Sequence, residues 1–282
     1  MARGRGFKPM SVRKDLADYG KARRGAIDRG PAAPRPDKVG FVIAGTQKGG
    51  TTALASYLYE HPEICIGGAK EIHFFDTDPL FRAGTVPNYA AYHARFDPAG
   101  RERILGDATP IYMYWEPAVQ RIWEYNPSMK LIVILRGPAA RAFSHWNMQR
   151  TKNLDPLPFF EALKTEKERC RAALPSQHPL WSYADRGFYC GQLRRIWRYF
   201  PVEQTLILKS EELRTAPERL LANVAAFLGI EPFGPVEPRE VYARDYDEPM
   251  TDEARNYLRD IFEYEIRSLE RMLGWDCSDW LA

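Results

Sequence analysis

Cysteine is scarce in this chain, with four residues in 282 at positions 65, 170, 190 and 277, and no C-x-x-C spacing among them. The five histidines form no H-E-x-x-H or comparable cluster. These absences exclude a zinc site or a disulfide framework as the organising element, so no metal is expected. Cys65, flanked by Ile64 and Ile66, reads as a buried reduced thiol. No run approaches 18 apolar residues, and no apolar stretch follows the basic N-terminal residues. Neither a membrane span nor a secretory signal is therefore expected, and the expected location is cytoplasmic.

Net charge is also small, at +3, and unevenly placed. Residues 1–38 hold eleven Lys and Arg against four Asp, a balance of about +7, which leaves about −4 for the rest. The basic excess belongs to an arm rich in Gly, Ala and Pro that reads as solvated and disordered over residues 1–37. Arg29-Gly-Pro-Ala-Ala-Pro-Arg-Pro36 links it to one domain over 38–282. No nucleic-acid partner is expected, and the oligomeric state is not readable from sequence.

What the chain does have is Val39-Gly-Phe-Val-Ile-Ala-Gly-Thr-Gln-Lys-Gly-Gly-Thr-Thr52, an apolar strand followed by a Gly-rich turn and a helix-forming stretch. Free backbone N–H groups and the positive end of a helix dipole converge at such a junction and make an anion cradle. A Walker A loop places Lys after the second Gly with a hydroxyl beside it. Here Lys48 precedes Gly49 and Gly50, and Thr51 and Thr52 follow. That order resembles the 5′-phosphosulfate loop of sulfotransferases that use 3′-phosphoadenylyl sulfate (PAPS).

The remaining pattern is strand and helix in alternation. A helix is expected over about 51–60, a short strand at 63–66, a fully apolar strand at 129–135 and a fourth strand at 205–208. Helices are expected after Pro138, over 159–171 as an exposed charged helix, over 187–200, over 217–228 ending at Gly229, and over 252–273. Continuous apolar strands covered on both faces argue for a three-layer α/β/α domain with a mostly parallel central sheet. Ligands of such sheets bind beyond the carboxyl ends of the strands, where Lys48, Glu71 and Arg136 fall.

A PAPS-dependent enzyme must hold two anionic ends of one co-substrate. Lys48 to Thr52 would grip the 5′ end, with Lys48 following charge onto the leaving oxygen. Arg136 at a strand end, with Ser144 eight residues on, suggests the second phosphate site, since a guanidinium fork matches phosphate oxygens. An attacking acceptor must lose a proton, and Glu71 in Lys-Glu-Ile-His-Phe-Phe is the candidate general base, with His73 to orient it, contact the acceptor or substitute for it. A surface ion pair for Glu71 and a structural cap for Arg136 are the plain alternatives.

Lys-Gly-Gly-Thr-Thr, Lys-Glu-Ile-His-Phe-Phe, Thr-Pro-x-Tyr at 109–112, Ile-Leu-Arg-Gly-Pro-x-x-Arg-Ala-x-Ser at 134–144, and Arg-Gly-x-Tyr-x-x-Gln-Leu at 186–193 occur in one order. Over about 38–276 this resembles heparan-sulfate-type sulfotransferases and their bacterial relatives. The resemblance implies a P-loop-like sulfotransferase fold and sulfuryl transfer from PAPS to a hydroxyl or amine acceptor. It implies a 5′-phosphosulfate loop at Lys48, Gly49, Gly50, Thr51 and Thr52, a 3′-phosphate site at Arg136 and Ser144, Glu71 as base, and Tyr189 near the co-substrate. Two departures stand out. Ala108 occupies the place of a lysine common in that family, and the late basic Gly-containing loop is not evident, with Tyr242-Ala-Arg244-Asp-Tyr246 as its stand-in.

A P-loop kinase is the main competing reading, but the long apolar strand ends in Arg136 rather than an acidic residue that could hold Mg²⁺. A silent nucleotide-binding protein is the other. The acceptor is open among carbohydrates, other natural products and small alcohols. Tyr112, Tyr114, Trp115 and Trp123 would either stack on a ring or fill the core, and 145–185 is the candidate acceptor wall.

Overall fold

Lys130 to Leu135 (β4) is apolar at every position after its first residue, and it is an interior strand of a five-stranded sheet covered on both faces. Its side chains alternate: Leu131, Val133 and Leu135 enter one core, while Ile132 and Ile134 enter the other. The computed structural model describes residues 36–68, 71–237, 246 and 248–281. The basic arm up to residue 35 and most of the segment 242–246 lie outside the described residues.

The other strands are β1 (Val39–Gly45), β2 (Ile64–Ile66), β3 (Ile104–Asp107) and β5 (Thr205–Lys209), in the spatial order β2-β3-β1-β4-β5. Every pairing is parallel. The helices are α1 (Thr51–Leu58), α2 (Tyr89–His93), α3 (Glu116–Tyr125), α4 (Pro138–Thr151), α5 (Phe159–Ala172), α6 (Tyr189–Ile196), α7 (Ser210–Thr215), α8 (Pro217–Leu228) and α9 (Asp252–Leu273). One face of the sheet packs on α1, α7 and α8 through Leu54, Leu58, Leu213, Leu220 and Val224. The other packs on α3, α4, α6 and α9 through Val119, Phe143, Leu193, Leu258 and Phe262. This is the three-layer α/β/α arrangement.

Sequence periodicity locates four of the five strands and misses β3. Its four residues, Ile-Leu-Gly-Asp, carry no alternation of their own, and they become a strand by pairing with β1 and β2 on either side. The helix α5 is less exposed than its charge suggests, since Phe159, Ala162, Leu163 and Glu166 are buried. The helix expected at 51–60 ends at Leu58, and that expected at 187–200 is confined to Tyr189–Ile196. Among the described residues no helix is long and apolar enough to cross a membrane, and all four cysteines are free.

Candidate active site

The parallel sheet brings the carboxyl ends of β1, β3 and β4 side by side, and the site is built on the three loops that leave them. At the end of β1, the Thr46 N–H donates to Ile134 O of β4 (3.0 Å), and Gly49 N–H donates back to Thr46 O (2.8 Å). Gly49 is required there: a Cβ would stand 2.4 Å from Ile134 O, a backbone atom that cannot move aside. Gly50 caps α1 at φ 107°, and no side chain caps the helix, so the amides of its first turn face out of the loop. Lys48 takes φ 71°, a left-handed conformation costly for any residue but glycine, by about 1–3 kcal/mol.

The loop after β4 joins this cradle directly. Arg136 Nη1 donates to the Lys48 carbonyl at 3.4 Å. Ser144 lies on α4 and is buried. Tyr189 is brought here as well, but as a support: its hydroxyl, buried and kept neutral by burial, donates to the Arg136 carbonyl at 2.8 Å. Beside Gly137 a cleft of about 290 Å³ opens, with Ala140, Arg214, Arg259 and Trp280 among its lining.

Two further cations stand behind the cradle, and sequence reasoning did not single them out. Arg141 and Arg186 are both fully buried. Arg141 donates to Gln47 O (3.3 Å) and to Tyr183 O, while Arg186 donates to Gln47 Oε1, Ser182 Oγ (2.8 Å) and Pro179 O (2.7 Å). The Arg186 guanidinium also lies 4.5 Å from the centre of the Tyr114 ring. Gln47 is thus clamped from both sides, which fixes the residue preceding Lys48. Glu166, whose pKa burial raises to about 7, accepts from the amides of Ala184 and Asp185 (2.8 Å each) and steadies the segment that carries Arg186. Part of the 145–185 segment therefore backs the loop. Both arginines sit inside the motifs quoted above, at a spacing that gives no hint of their shared target.

The third loop carries Glu71 and His73. Both adopt left-handed backbone, φ 64° and 56°. Three hydrogen bonds hold it to the segment after β3: Glu71 N–H to Ala108 O (3.1 Å), His73 N–H to Thr109 Oγ1 (3.5 Å) and Phe74 N–H to Tyr112 Oη (3.1 Å). Because β3 neighbours β1 in the sheet, this places the loop on the same side of the sheet as the turn that leaves β1. His73 Nδ1 lies 2.7 Å from Asp76 Oδ2 and Nε2 lies 3.5 Å from Glu71 Oε2. Hydrogen bonding to Asp76, then to Glu71, raises the His73 pKa to about 10, so at neutral pH it is an imidazolium between two carboxylates. Asp76 was missed in the sequence, although its i+3 spacing from His73 was there to be read.

Of the aromatic run, Tyr112, Tyr114 and Trp115 are buried and Trp123 is about two-fifths exposed beside Tyr199. Tyr114 donates to Asp185 Oδ2 (2.6 Å) and Trp115 to Asp78 Oδ1 (3.0 Å). The core reading holds for these three, and each spends its polar tip on a loop near the site.

A family model described as a sulfotransferase domain matches residues 38–259. The chain belongs to the sulfotransferase family. The solved sulfotransferase of Alicyclobacillus acidocaldarius shares 29% identity with this chain and superposes with a TM-score of 0.73, covering 88% of this chain and 100% of that one. Among curated relatives, human heparan sulfate glucosamine 3-O-sulfotransferase 3B1 is 30% identical over 79% of this chain and 57% of its own length. The membrane-associated sulfotransferase kil1 of Dictyostelium discoideum is 25% identical over 84% of this chain and 65% of its own. The chain thus spans a little over half to two thirds of these two curated relatives. The mostly parallel P-loop-like fold expected from the sequence is the fold found. Among the described residues no group of three or more His, Cys, Asp or Glu side chains could hold a metal ion.

Proposed function

We propose that this sulfotransferase moves a sulfuryl group from PAPS to a hydroxyl or amine acceptor of glycan type. The observation that carries the reading is the juxtaposition of a cationic, uncapped cradle at the ends of β1 and β4 with a carboxylate-imidazolium loop hung from the end of β3. The residues fit the co-substrate: the first turn of α1, which no side chain caps, and Lys48 suit a phosphosulfate, and Arg136 with Ser144 suits a second phosphate, with Arg214 and Arg259 in the adjoining cleft. The glycan class rests on the relatives whose names specify heparan sulfate glucosamine.

Glu71 takes the proton of the attacking acceptor as the new S–O (or S–N) bond forms. Lys48 stabilises the oxygen that departs with 3′,5′-diphosphoadenosine as the old S–O bond breaks. His73 is not the base, because an imidazolium has no lone pair to accept a proton; it orients Glu71 or meets acceptor oxygens. The place of the missing lysine is taken by Ala108, whose carbonyl holds the Glu71 amide.

A thermal-shift series with 3′,5′-diphosphoadenosine, ADP, AMP and Mg-ATP tests the co-substrate. A ligand that binds only the folded state adds about 2.7 kcal/mol at a hundredfold excess over Kd. The expected result is a shift that needs the 3′-phosphate and disappears in Arg136→Ala. A shift with Mg-ATP alone would favour phosphoryl transfer, and 3′-phosphate-dependent binding without transfer to any acceptor would favour a silent binding protein.

A further inference from the structure

Asp107 ends β3 in the sheet and is fully buried, and the donors to its carboxylate among the described residues are hydroxyls rather than a cation. Its partners are three hydroxyls. Thr109 donates to Oδ1 (2.7 Å), and Tyr112 (2.8 Å) and Tyr92 (3.0 Å) donate to Oδ2. Two of these same hydroxyls hold the loop of Glu71 and His73: Thr109 Oγ1 accepts from the His73 amide and Tyr112 Oη from the Phe74 amide.

A hydroxyl has one hydrogen and two lone pairs. It can accept from a backbone N–H only if its own hydrogen points elsewhere, and an ionised carboxylate is an acceptor with nothing to donate. We infer that Asp107 is a positioning residue of the reaction, whose carboxylate draws the Thr109 and Tyr112 hydrogens inward and so turns their lone pairs onto the amides that fix Glu71 and His73. This rests on the reading of Glu71 as the base. Burial works against the charge and raises the Asp107 pKa to about 6, with the three hydroxyls pulling it back. An asparagine at 107 would be close in shape but would present an N–H₂ either to the Thr109 hydroxyl or to those of Tyr112 and Tyr92. Thr109 or Tyr112 would then have to turn its hydrogen toward the loop, donor against donor. The two left-handed residues, Glu71 and His73, are the ones least able to hold their conformation without those anchors.

The test follows the His73 imidazole by NMR titration in the full chain, comparing wild type with Asp107→Asn, Thr109→Val, Tyr112→Phe and Tyr92→Phe. In wild type, Asp76 and Glu71 raise the His73 pKa to about 10, and the titration is expected there. The expected result is a clear fall toward a free imidazole in the first three variants and no change in Tyr92→Phe, whose hydroxyl holds no loop amide. The thermal shift with 3′,5′-diphosphoadenosine should be kept throughout. Transfer to a heparan oligosaccharide should lose kcat by about 10- to 100-fold with the KM for PAPS nearly constant, as for a misplaced catalytic group. Thr109→Val and Tyr112→Phe carry the test if Asp107→Asn does not fold. An unaltered His73 titration in Asp107→Asn, or in both Thr109→Val and Tyr112→Phe, overturns the inference. If Glu71→Gln transfers normally, the base assignment fails by itself, while the titration still reports whether Asp107 sets the loop.

Discussion

Arg136 donates to the carbonyl of Lys48, so the residue expected at one anion site is tied to the backbone of the other. The bond is long, at 3.4 Å, and contributes little to folding, but it couples the two loops leaving β1 and β4.

Replacing Arg136 by Ala should therefore leave thermal stability almost unchanged and weaken 3′,5′-diphosphoadenosine by roughly 10- to 150-fold, the value of about 1.5–3 kcal/mol for hydrogen bonds to a charged group. Tyr189→Phe should behave differently. It leaves the part-buried Arg136 carbonyl without its donor, so stability falls by about 1 kcal/mol and affinity weakens less than in Arg136→Ala. Paired denaturant and titration calorimetry measurements separate the two patterns.

Glu71→Gln should bind 3′,5′-diphosphoadenosine as wild type does and lose about 10²- to 10⁴-fold in kcat, the usual contribution of a general base. Steady-state rates at saturating PAPS decide this. Wild-type turnover in the mutant would remove Glu71 from the chemistry.

The imidazolium of His73 also makes stability depend on pH. Its folded pKa is raised to about 10 by Asp76 and Glu71, against an ordinary value near 6.5. The stabilisation is fully present below pH 6.5 and is lost as pH rises through about 10. Melting temperatures from pH 6 to 10.5 should fall faster in wild type than in His73→Gln, with the two converging at the alkaline end. Parallel curves would mean that the side chain is not clamped.

Gly49→Ala should open the phosphate turn. The new methyl group meets Ile134 O at 2.4 Å and Thr46 O at 2.9 Å, both backbone atoms, so the loop must move. Overpacking of this kind costs about 1–3 kcal/mol, and the ligand-induced shift should vanish with it. A urea midpoint equal to wild type would show that the turn has more room than its geometry implies.

Sequence alone was enough wherever structure is local. Val39 to Thr52 places strand, turn and helix in one stretch, and Ile134 to Ser144 does the same, so both strand-turn-helix units were legible before any packing was known. The long helix α9 was legible to the residue because its buried positions repeat at helical spacing over six turns. What only the tertiary structure decided is convergence. The strand β3 exists through its neighbours, and it alone brings Asp107, Thr109 and Tyr112 under the loop of Glu71 and His73. Arg186 reaches Gln47 across 139 positions of chain, and no pattern of propensity or periodicity encodes such a contact. Short-range signals report which residues can make a strand, a turn or a cap. Which charges share one buried space is settled by the order of strands in the sheet, a collective outcome of packing the whole chain.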